Sequence, residues 1–235
     1  MSQRTLRRRA AIWLAAFCAF YLALAYLAAP EFWTWRDRGF RTQRFEMITH
    51  TPQGIPGDPI NVGLVGTEKE VVHAFAVAGW DTADAVTLKT AIEIGESVLF
   101  GRPYPDAPVS RLLFEGRAQD LAFEKSVGHS ADRRHHVRFW QADARGDDGR
   151  PLWLGSASFD RGVGLSHDTG AITHHIGPDI DAERNFLIGD LRAARMLIST
   201  SDIPGIGATK TGRNGGGDPY FTDGKAVIGM LRQLP

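Results

Sequence analysis

Four short segments of the chain bring histidine, aspartate and arginine together in patterns that could do chemistry. They read GRAQD at residues 116–120, RRHH at 133–136, FDRG at 159–162 and THHIGPDIDAER at 173–184. A histidine that titrates near neutral pH suits general acid or base work, and a neighbouring carboxylate can orient it. The candidate catalytic residues are therefore His136, His174, His175, Asp160 and Asp181.

The same segments contain candidate binding residues. Arginine holds phosphate or carboxylate groups through two parallel hydrogen bonds, which makes Arg117, Arg161 and Arg184 a candidate anion site. Imidazole and carboxylate groups bind Zn, Fe or Mn, which makes His174, His175 and Asp179 candidate ligands of a divalent metal. Beyond that candidate metal, the sequence leaves the cofactor unknown.

Each segment also has a structural explanation that needs no ligand. Arg117 and Asp120 can neutralise each other, and FDRG can be a plain turn with a surface ion pair. Asp179 and Asp181 precede or begin a predicted helix, where acids cap free N–H groups. Alternate residues of a strand share a face, so His136 can belong to a solvated basic face with Arg134, Arg138 and Trp140.

Arg184 is explained least well by such a structural role. It lies on the apolar stripe of a helix predicted over residues 178–199. A buried guanidinium needs a carboxylate or an anionic ligand, so Arg184 is either part of an internal ion pair or part of the anion site. The stripe consists of Ile180, Leu187, Leu191, Ala194 and Ile198.

The elements that position these residues can be read from the hydrophobic pattern. Residues 60–66 form an apolar strand, and TEKE at 67–70 has the form of a capping box. That box begins a helix that Gly79 can end, and a second helix is predicted over residues 87–100. Short β-branched and aromatic runs between turn sequences then predict strands within residues 109–117, 120–127, 133–142, 151–159 and 171–176, and a last strand is predicted within residues 223–231. The fold class is α+β: a mostly antiparallel sheet with two helices before it and one long helix after it, plus one N-terminal transmembrane helix.

The N-terminal helix is predicted from residues 10–29, a run without charge that follows Arg4 and Arg7–Arg9. About 20 apolar residues cross a bilayer core of roughly 30 Å. The run is longer than a signal-peptide core, and no small-x-small cleavage site follows it, so an uncleaved signal-anchor is favoured over a cleaved signal.

The anchor sets the predicted organisation and location of the chain. Residues 1–9 are a cytoplasmic basic N-terminus, residues 30–59 a juxtamembrane linker and residues 60–235 one globular domain. Because long C-terminal domains translocate largely regardless of charge, we expect a single-pass inner-membrane protein whose domain is periplasmic or otherwise extracytoplasmic.

Composition and motifs narrow the function classes. The 27 basic and 27 acidic residues balance, so no excess charge points to nucleic acid, and the only cysteine is Cys18 within the apolar run. H-E-x-x-H, G-x-S-x-G and Walker A spacings are absent. Two classes remain: a non-catalytic module that binds an envelope protein or an anionic small molecule, and a hydrolase acting on an anionic substrate such as a phosphoester. The lack of a catalytic motif favours the binding module.

Five sequence blocks occur in order between about residues 60 and 195: INVGLVGTEKEV, GRPYPDAPVSRLLFEGRAQDLAFEK, RRHHVRFW, PLWLGSASFDRGVGLS and THHIGPDIDAERNFLIGDL. Together they resemble the LssY C-terminal domain family. In some relatives this domain is attached to polytopic membrane proteins, including phosphatidic-acid-phosphatase-like ones, and its namesake is associated with a type I secretion locus. The resemblance implies an accessory role in the cell envelope or secretion and assigns no catalytic residue.

Overall fold

The computed structural model describes residues 3–29, 31–32, 47–52, 54–83, 112–128, 133–170, 172–205 and 210–234. The predicted second helix at residues 87–100 lies outside these residues. The strands are β1 Ile48–His50, β2 Pro56–Pro59, β3 Val62–Val65, β4 Asp81–Thr82, β5 Leu113–Phe114, β6 Arg117–Ala118, β7 Leu121–Ser126, β8 Arg134–Arg145, β9 Pro151–Leu165, β10 Ile172–Ile176, β11 Leu197–Pro204, β12 Thr211–Arg213, β13 Pro219–Phe221 and β14 Lys225–Leu231.

Three helices lie within the described residues. Helix α1 spans Gln3–Ala23 and continues with π-helical geometry over Leu24–Ala28; α2 spans Glu68–Val77 and α3 spans Ile180–Ala193. The predicted capping box is confirmed, because Thr67 and Glu70 each accept the other's backbone N–H at the start of α2. One helix, Arg7–Ala28, is long and apolar enough to cross a membrane.

The largest sheet has eight strands in the order β11-β14-β3-β9-β8-β7-β4, with β10 paired to β9. Its β14–β3 pair is parallel, and its other pairs are antiparallel. A four-stranded sheet has the order β2-β1-β5-β6, and β12 and β13 form a hairpin. The α+β fold and the mostly antiparallel sheet predicted from the sequence are therefore confirmed.

Asn61 lies between two strands, β3 and β10, that share one edge of β9. Val62, the first residue of β3, pairs with Gly155 of β9, and β10 pairs with β9 from Asp160 onward. Between them, the Asn61 side chain donates to the carbonyl of Ala157 at 2.9 Å and accepts from the Ala157 N–H at 2.9 Å. The buried amide thus completes the hydrogen bonding of β9 where no strand reaches it.

The large sheet has an apolar face and a polar face. On the apolar face, side chains of β7, β8 and β9 pack under α2 and α3, with Phe75, Phe123, Phe139 and Leu187 at the centre of the core. On the opposite face, Trp140 packs against Ile60, Leu112 and Phe114, where the four-stranded sheet covers β8. The other buried side chains that β8 places on this second face, Arg134, His136 and Arg138, are polar, and they contribute to the candidate site.

The helix predicted over residues 178–199 is shorter in the structure. It ends at Ala193, because Arg195 adopts a positive φ of 59°, and Leu197–Pro204 form β11 beside β14. The ISTSDI sequence is rich in β-branched and hydroxyl residues, which favour a strand over a helix. Ile198 is consequently 58% exposed rather than part of the buried stripe.

Residues 48–59, which the sequence pattern assigned to the linker, contain β1 and β2. Thr49 of β1 is fully buried and donates to the carbonyl of Asp58 at 2.8 Å. Asp58 itself is 6% exposed and points toward β8 and β9, where it contacts Arg138 and Ser158. The short segment therefore contributes directly to the polar face of the large sheet.

Candidate functional site

A polar cavity of about 190 Å³ lies against the second face of the large sheet. Strands β8, β9 and β10 supply one wall, and β2 with the turn between β12 and β13 supplies others. The lining residues are Thr51, Pro52, Asp58, Leu112, Arg134, His136, Arg138, Asp160, Thr173, His174, Ile176, Asn214, Gly215 and Gly216.

The two-residue period of β8 selects the side chains that face this cavity. Arg134, His136 and Arg138 alternate with His135, Val137 and Phe139, so the first three share the polar face. The register then sets their partners on β9, because Arg134 lies opposite Asp160 and His136 lies opposite Ser158. All five of these polar residues are less than 5% exposed.

Arg134 is shared by two buried carboxylates. Its Nε donates to Asp160 at 3.0 Å and its Nη1 donates to Glu124 at 2.6 Å. Burial raises the pKa of Glu124 to about 8; Asp160 and Asp81 add to this effect, and Arg134 opposes it. Burial alone would raise the pKa of Asp160, but the neighbouring His136 and the guanidinium of Arg134 outweigh it and hold this pKa well below its usual range. Near neutral pH Glu124 therefore carries a proton, and the positive charge of Arg134 faces a single negative charge, that of Asp160.

His136 lies at the centre of the remaining contacts. Its Nε2 accepts a hydrogen bond from Nη1 of Arg138 at 2.9 Å, because a guanidinium can only donate. The ring proton is therefore on Nδ1, which faces Oδ1 of Asp160 at 3.2 Å without hydrogen-bond alignment. Ser158 lies 3.1 Å from the same Nε2, and its hydroxyl donates to Asp58 at 3.0 Å.

His174 reaches the cavity from β10. Its Nε2 is buried and has no hydrogen-bond partner among the described residues. Burial lowers the pKa of this imidazole; Asp160 opposes the shift, whereas Arg134, His136 and Arg138 reinforce it. The ring is therefore neutral at physiological pH, and its Nε2 is a polar atom available to whatever occupies the cavity.

Three of the residues predicted from the sequence converge on this cavity, and the other predicted residues lie elsewhere. His136, Asp160 and His174 line it. Arg161 is exposed on β9, and Asp179 caps α3 by accepting the Ala182 N–H at 3.0 Å. The remaining predicted residues, His175, Asp181, Arg117 and Arg184, have other partners.

Arg184 and Asp181 belong to an ion-pair cluster beside α3. Nη1 and Nη2 of Arg184 donate to the two carboxylate oxygens of Asp223 at 2.9 and 3.1 Å, and Nη1 also contacts Asp181 at 3.2 Å. Arg184 is 4% exposed, so its predicted place on the buried side of the helix is confirmed. Arg117 is exposed: it lies 3.8 Å from Asp120 and donates to the carbonyl of Gln141 at 2.7 Å. The predicted anion-binding arginines thus stand in separate surroundings.

Comparison with known proteins identifies the family of the chain that forms this polar cavity. A sequence model of the family described as LssY C-terminus matches residues 42–226. The chain belongs to the LssY C-terminus family. No curated protein and no solved structure matches it significantly.

The family match covers the whole candidate site of this LssY domain. It starts at residue 42, ahead of β1 and β2, and it ends after the turn that contains Asn214 and Gly216. Residues 42–59 therefore belong to the matched region together with the segments that carry the histidines.

Several groups of the LssY site have no clear signal in the sequence. Asp58 lies in the stretch TPQGIPGDP, whose prolines and glycines indicate turns. Glu124 has an ordinary place in an alternating strand, and Asn214 lies in a glycine-rich turn. Arg138 is the exception, because the alternation of side chains along β8 is enough to place it on the face of His136.

The three predicted metal ligands of the LssY domain have different contacts. His174 lines the cavity, Asp179 caps α3, and Nδ1 of His175 lies 2.8 Å from Oδ1 of Asp218. Among the described residues, the group with ligand atoms close enough to hold one metal ion is His167, His175 and Asp218.

Proposed function

We propose that this LssY domain is a membrane-anchored binding module of the cell envelope, which holds a small polar ligand with an anionic group in the cavity between its sheets. The observation that carries the proposal is the buried Nε2 of His174. Buried polar atoms in folded proteins nearly always have a hydrogen-bond partner, and no described residue supplies one here. A bound ligand would supply it.

The charges of the cavity support an anionic group. Arg134 and Arg138 are buried in its wall together with the carboxylates of Asp58 and Asp160. The neutral imidazole of His174 can donate from Nε2, and both guanidinium groups attract negative charge. An anion would therefore receive a hydrogen bond from His174 and attraction from the two guanidinium groups, and the carboxylates of Asp58 and Asp160 would oppose it.

Thermal melting of the full-length protein in detergent tests binding. We expect phosphate or a small carboxylate to raise the melting temperature of the wild type, as a ligand of the folded state must. His174→Leu removes the unpartnered atom, so its melting temperature without ligand should equal or exceed that of the wild type, while the ligand effect disappears. His73→Leu changes an exposed histidine on α2 and should leave the ligand effect intact. If no anion shifts the wild type, the proposal fails and the cavity is an internal salt-bridge network.

A hydrolase is the second candidate, because Ser158, His136 and Asp160 lie in the order of a catalytic triad, with contacts of 3.1 and 3.2 Å. Two features weigh against it. Nε2 of His136 already accepts a hydrogen bond from Nη1 of Arg138, so its lone pair is not available to take a proton from the serine. Ser158 also donates to Asp58 and does not line the cavity.

Labelling with a fluorophosphonate probe separates the two candidates. A binding module should remain unlabelled. Labelling that is lost in Ser158→Ala but retained in Ser156→Ala, a second buried serine of β9, would favour the hydrolase.

A further inference from the structure

We propose that His167, His175 and Asp218 form a binding site for a divalent transition-metal ion of the Zn²⁺ class, outside the cavity. The three residues come from the loop after β9, from β10 and from the turn before β13. Nδ1 of His175 lies 2.8 Å from Oδ1 of Asp218, and Nε2 of His167 lies 3.5 Å from the same oxygen. The two imidazole rings are 5.0 Å apart between centroids.

Two of the three separations between ligand atoms are close to those around a tetrahedral ion, and all three atoms lie within 4.8 Å of one another. Ligand atoms about 2.0–2.1 Å from Zn²⁺ stand roughly 3.3 Å from one another, and the two measured separations lie on either side of that value. Two imidazoles and one carboxylate are ligands that Zn²⁺ and neighbouring transition metals accept. These three side chains leave one tetrahedral position open, which water can occupy.

The carboxylate is held in place by the fold. Asp218 is 1% exposed, and its second oxygen accepts the N–H of Ile176 at 3.0 Å. The Asn214 side chain accepts the N–H groups of Asp218 and Gly216 at 2.9 and 3.0 Å, which fixes the turn. Such supporting hydrogen bonds orient a metal ligand before the ion arrives.

The histidines are positioned from the β9–β10 hairpin. A Cβ at residue 164 would lie 2.4 Å from Nε2 of His175, so glycine at this position makes room for the ring. The backbone N–H of His167 donates to the carbonyl of Gly216 at 2.9 Å, which ties its loop to the turn that carries Asp218. The His167 side chain is 57% exposed, so an ion and its water can enter from solvent.

A hydrogen-bonded Asp218–His175 pair explains one contact of this cluster but does not require His167. His167 is exposed, yet its ring converges on the oxygen that His175 already contacts. A cation shared by all three groups accounts for that convergence. The inference is independent of ligand binding in the cavity, although Gly216 lines the cavity and accepts the N–H of His167.

Metal titration of chelator-treated, tag-free full-length protein in detergent tests the site. We expect one Zn²⁺ or Co²⁺ per chain, a visible Co²⁺ spectrum of tetrahedral type, and a higher melting temperature with the ion. His167→Ala should weaken binding by at least about tenfold without changing the melting temperature of the metal-free protein, because the side chain is exposed. His73→Ala removes another exposed histidine and should bind as the wild type does.

Two outcomes would overturn the proposal. One is the absence of stoichiometric binding by the wild type. The other is unchanged affinity in His167→Ala, which would assign the ion to other groups. Asp218→Asn is a less informative test than His167→Ala, because the Asp218 carboxylate also accepts the Ile176 N–H and the change can perturb folding.

Discussion

At the scale of single residues, few cations pair with the buried acids on the polar face of the large sheet. Arg134 serves both Glu124 and Asp160, and all three are nearly inaccessible to solvent. One guanidinium neutralises one carboxylate, so a negative charge on the second carboxylate would be unpaired and costly there. Protonation of Glu124 removes it, which is why its pKa of about 8 lies far above the usual 4.5.

Glu124 therefore predicts a pH dependence of stability. Its folded pKa exceeds its unfolded pKa, so the folded state retains a proton that the unfolded state releases. The contribution of this group to the free energy of unfolding should fall as pH rises from about 4.5 to about 8, by up to about 1.4 kcal/mol per pH unit. Glu124→Gln should flatten that slope in urea melts at several pH values, whereas exposed Glu68→Gln should not. A Gln variant with the wild-type slope would show that Glu124 is ionised throughout.

Arg184 predicts a structural cost when its charge is removed. Breaking a buried ion pair costs about 3–5 kcal/mol, and the 43% exposure of the Asp223 side chain reduces this through solvent screening. We expect Arg184→Met to lower the free energy of unfolding by about 2–3 kcal/mol, measured by urea melts. Arg192→Met, on the exposed side of the same helix, should change it by no more than about 0.5 kcal/mol. Equal stability of the Arg184 variant and the wild type would instead favour a ligand-binding role for Arg184.

Residue patterns predicted faces but not partners. Alternation along β8 grouped His136 with Arg134 and Arg138, and the structure has this grouping. The helical stripe likewise placed Arg184 on the buried side of α3. Asp223, the main partner of Arg184, is 39 residues away along the chain. Periodicity has a local range, so it carries no information about which distant carboxylate meets a buried cation.

At the scale of elements, strands with a clear hydrophobic pattern were predicted better than short strands or a strand that directly follows a helix. β3, β7, β8, β9, β10 and β14 fall in segments that the sequence pattern marked as strands, because each alternates or is rich in β-branched residues. β1 and β2 are short and lie among prolines and glycines, so they read as linker. The first three residues of β11, at 197–199, were predicted as helix because Ile198 continued the spacing of the stripe on α3. In both places tertiary pairing decides the structure, and local propensity does not.

These two short strands predict where a folded fragment can begin. A fragment of residues 60–235 lacks Asp58, so Arg138 loses this carboxylate partner, and it lacks Met47, which packs beside Ile60 and Trp140. We expect residues 47–235 to give cooperative thermal unfolding. The 60–235 fragment should melt at lower temperature or be molten, as judged by near-UV circular dichroism and calorimetry. Indistinguishable melts of the two fragments would show that β1 and β2 are dispensable and that the domain begins at residue 60.

At the scale of the whole molecule, composition and pattern were enough to predict an α+β domain after one apolar helix. The site was predicted only in part. His136, Asp160 and His174 come from three different strands, and their meeting depends on the register of β8 with β9 and of β9 with β10. Registers are set by the complete sheet. The segments could therefore be chosen from the sequence, whereas the cavity that joins them could not.

The N-terminal helix predicts the topology of the protein. Only 6% of its apolar window is buried against the rest of the chain, so it is not a core helix of the domain. A membrane would bury the apolar side chains that the rest of the chain leaves exposed. They include Trp13, Phe17 and Phe20, which are more than 60% exposed. With the arginines before the span on the cytoplasmic side, we expect an alkaline phosphatase reporter fused after residue 235 to be active. The same fusion without residues 1–32 should be inactive. An inactive reporter on a well-expressed full-length fusion would reverse the topology, and a purified chain whose mass lacks α1 would show that the segment is a cleaved signal and not an anchor.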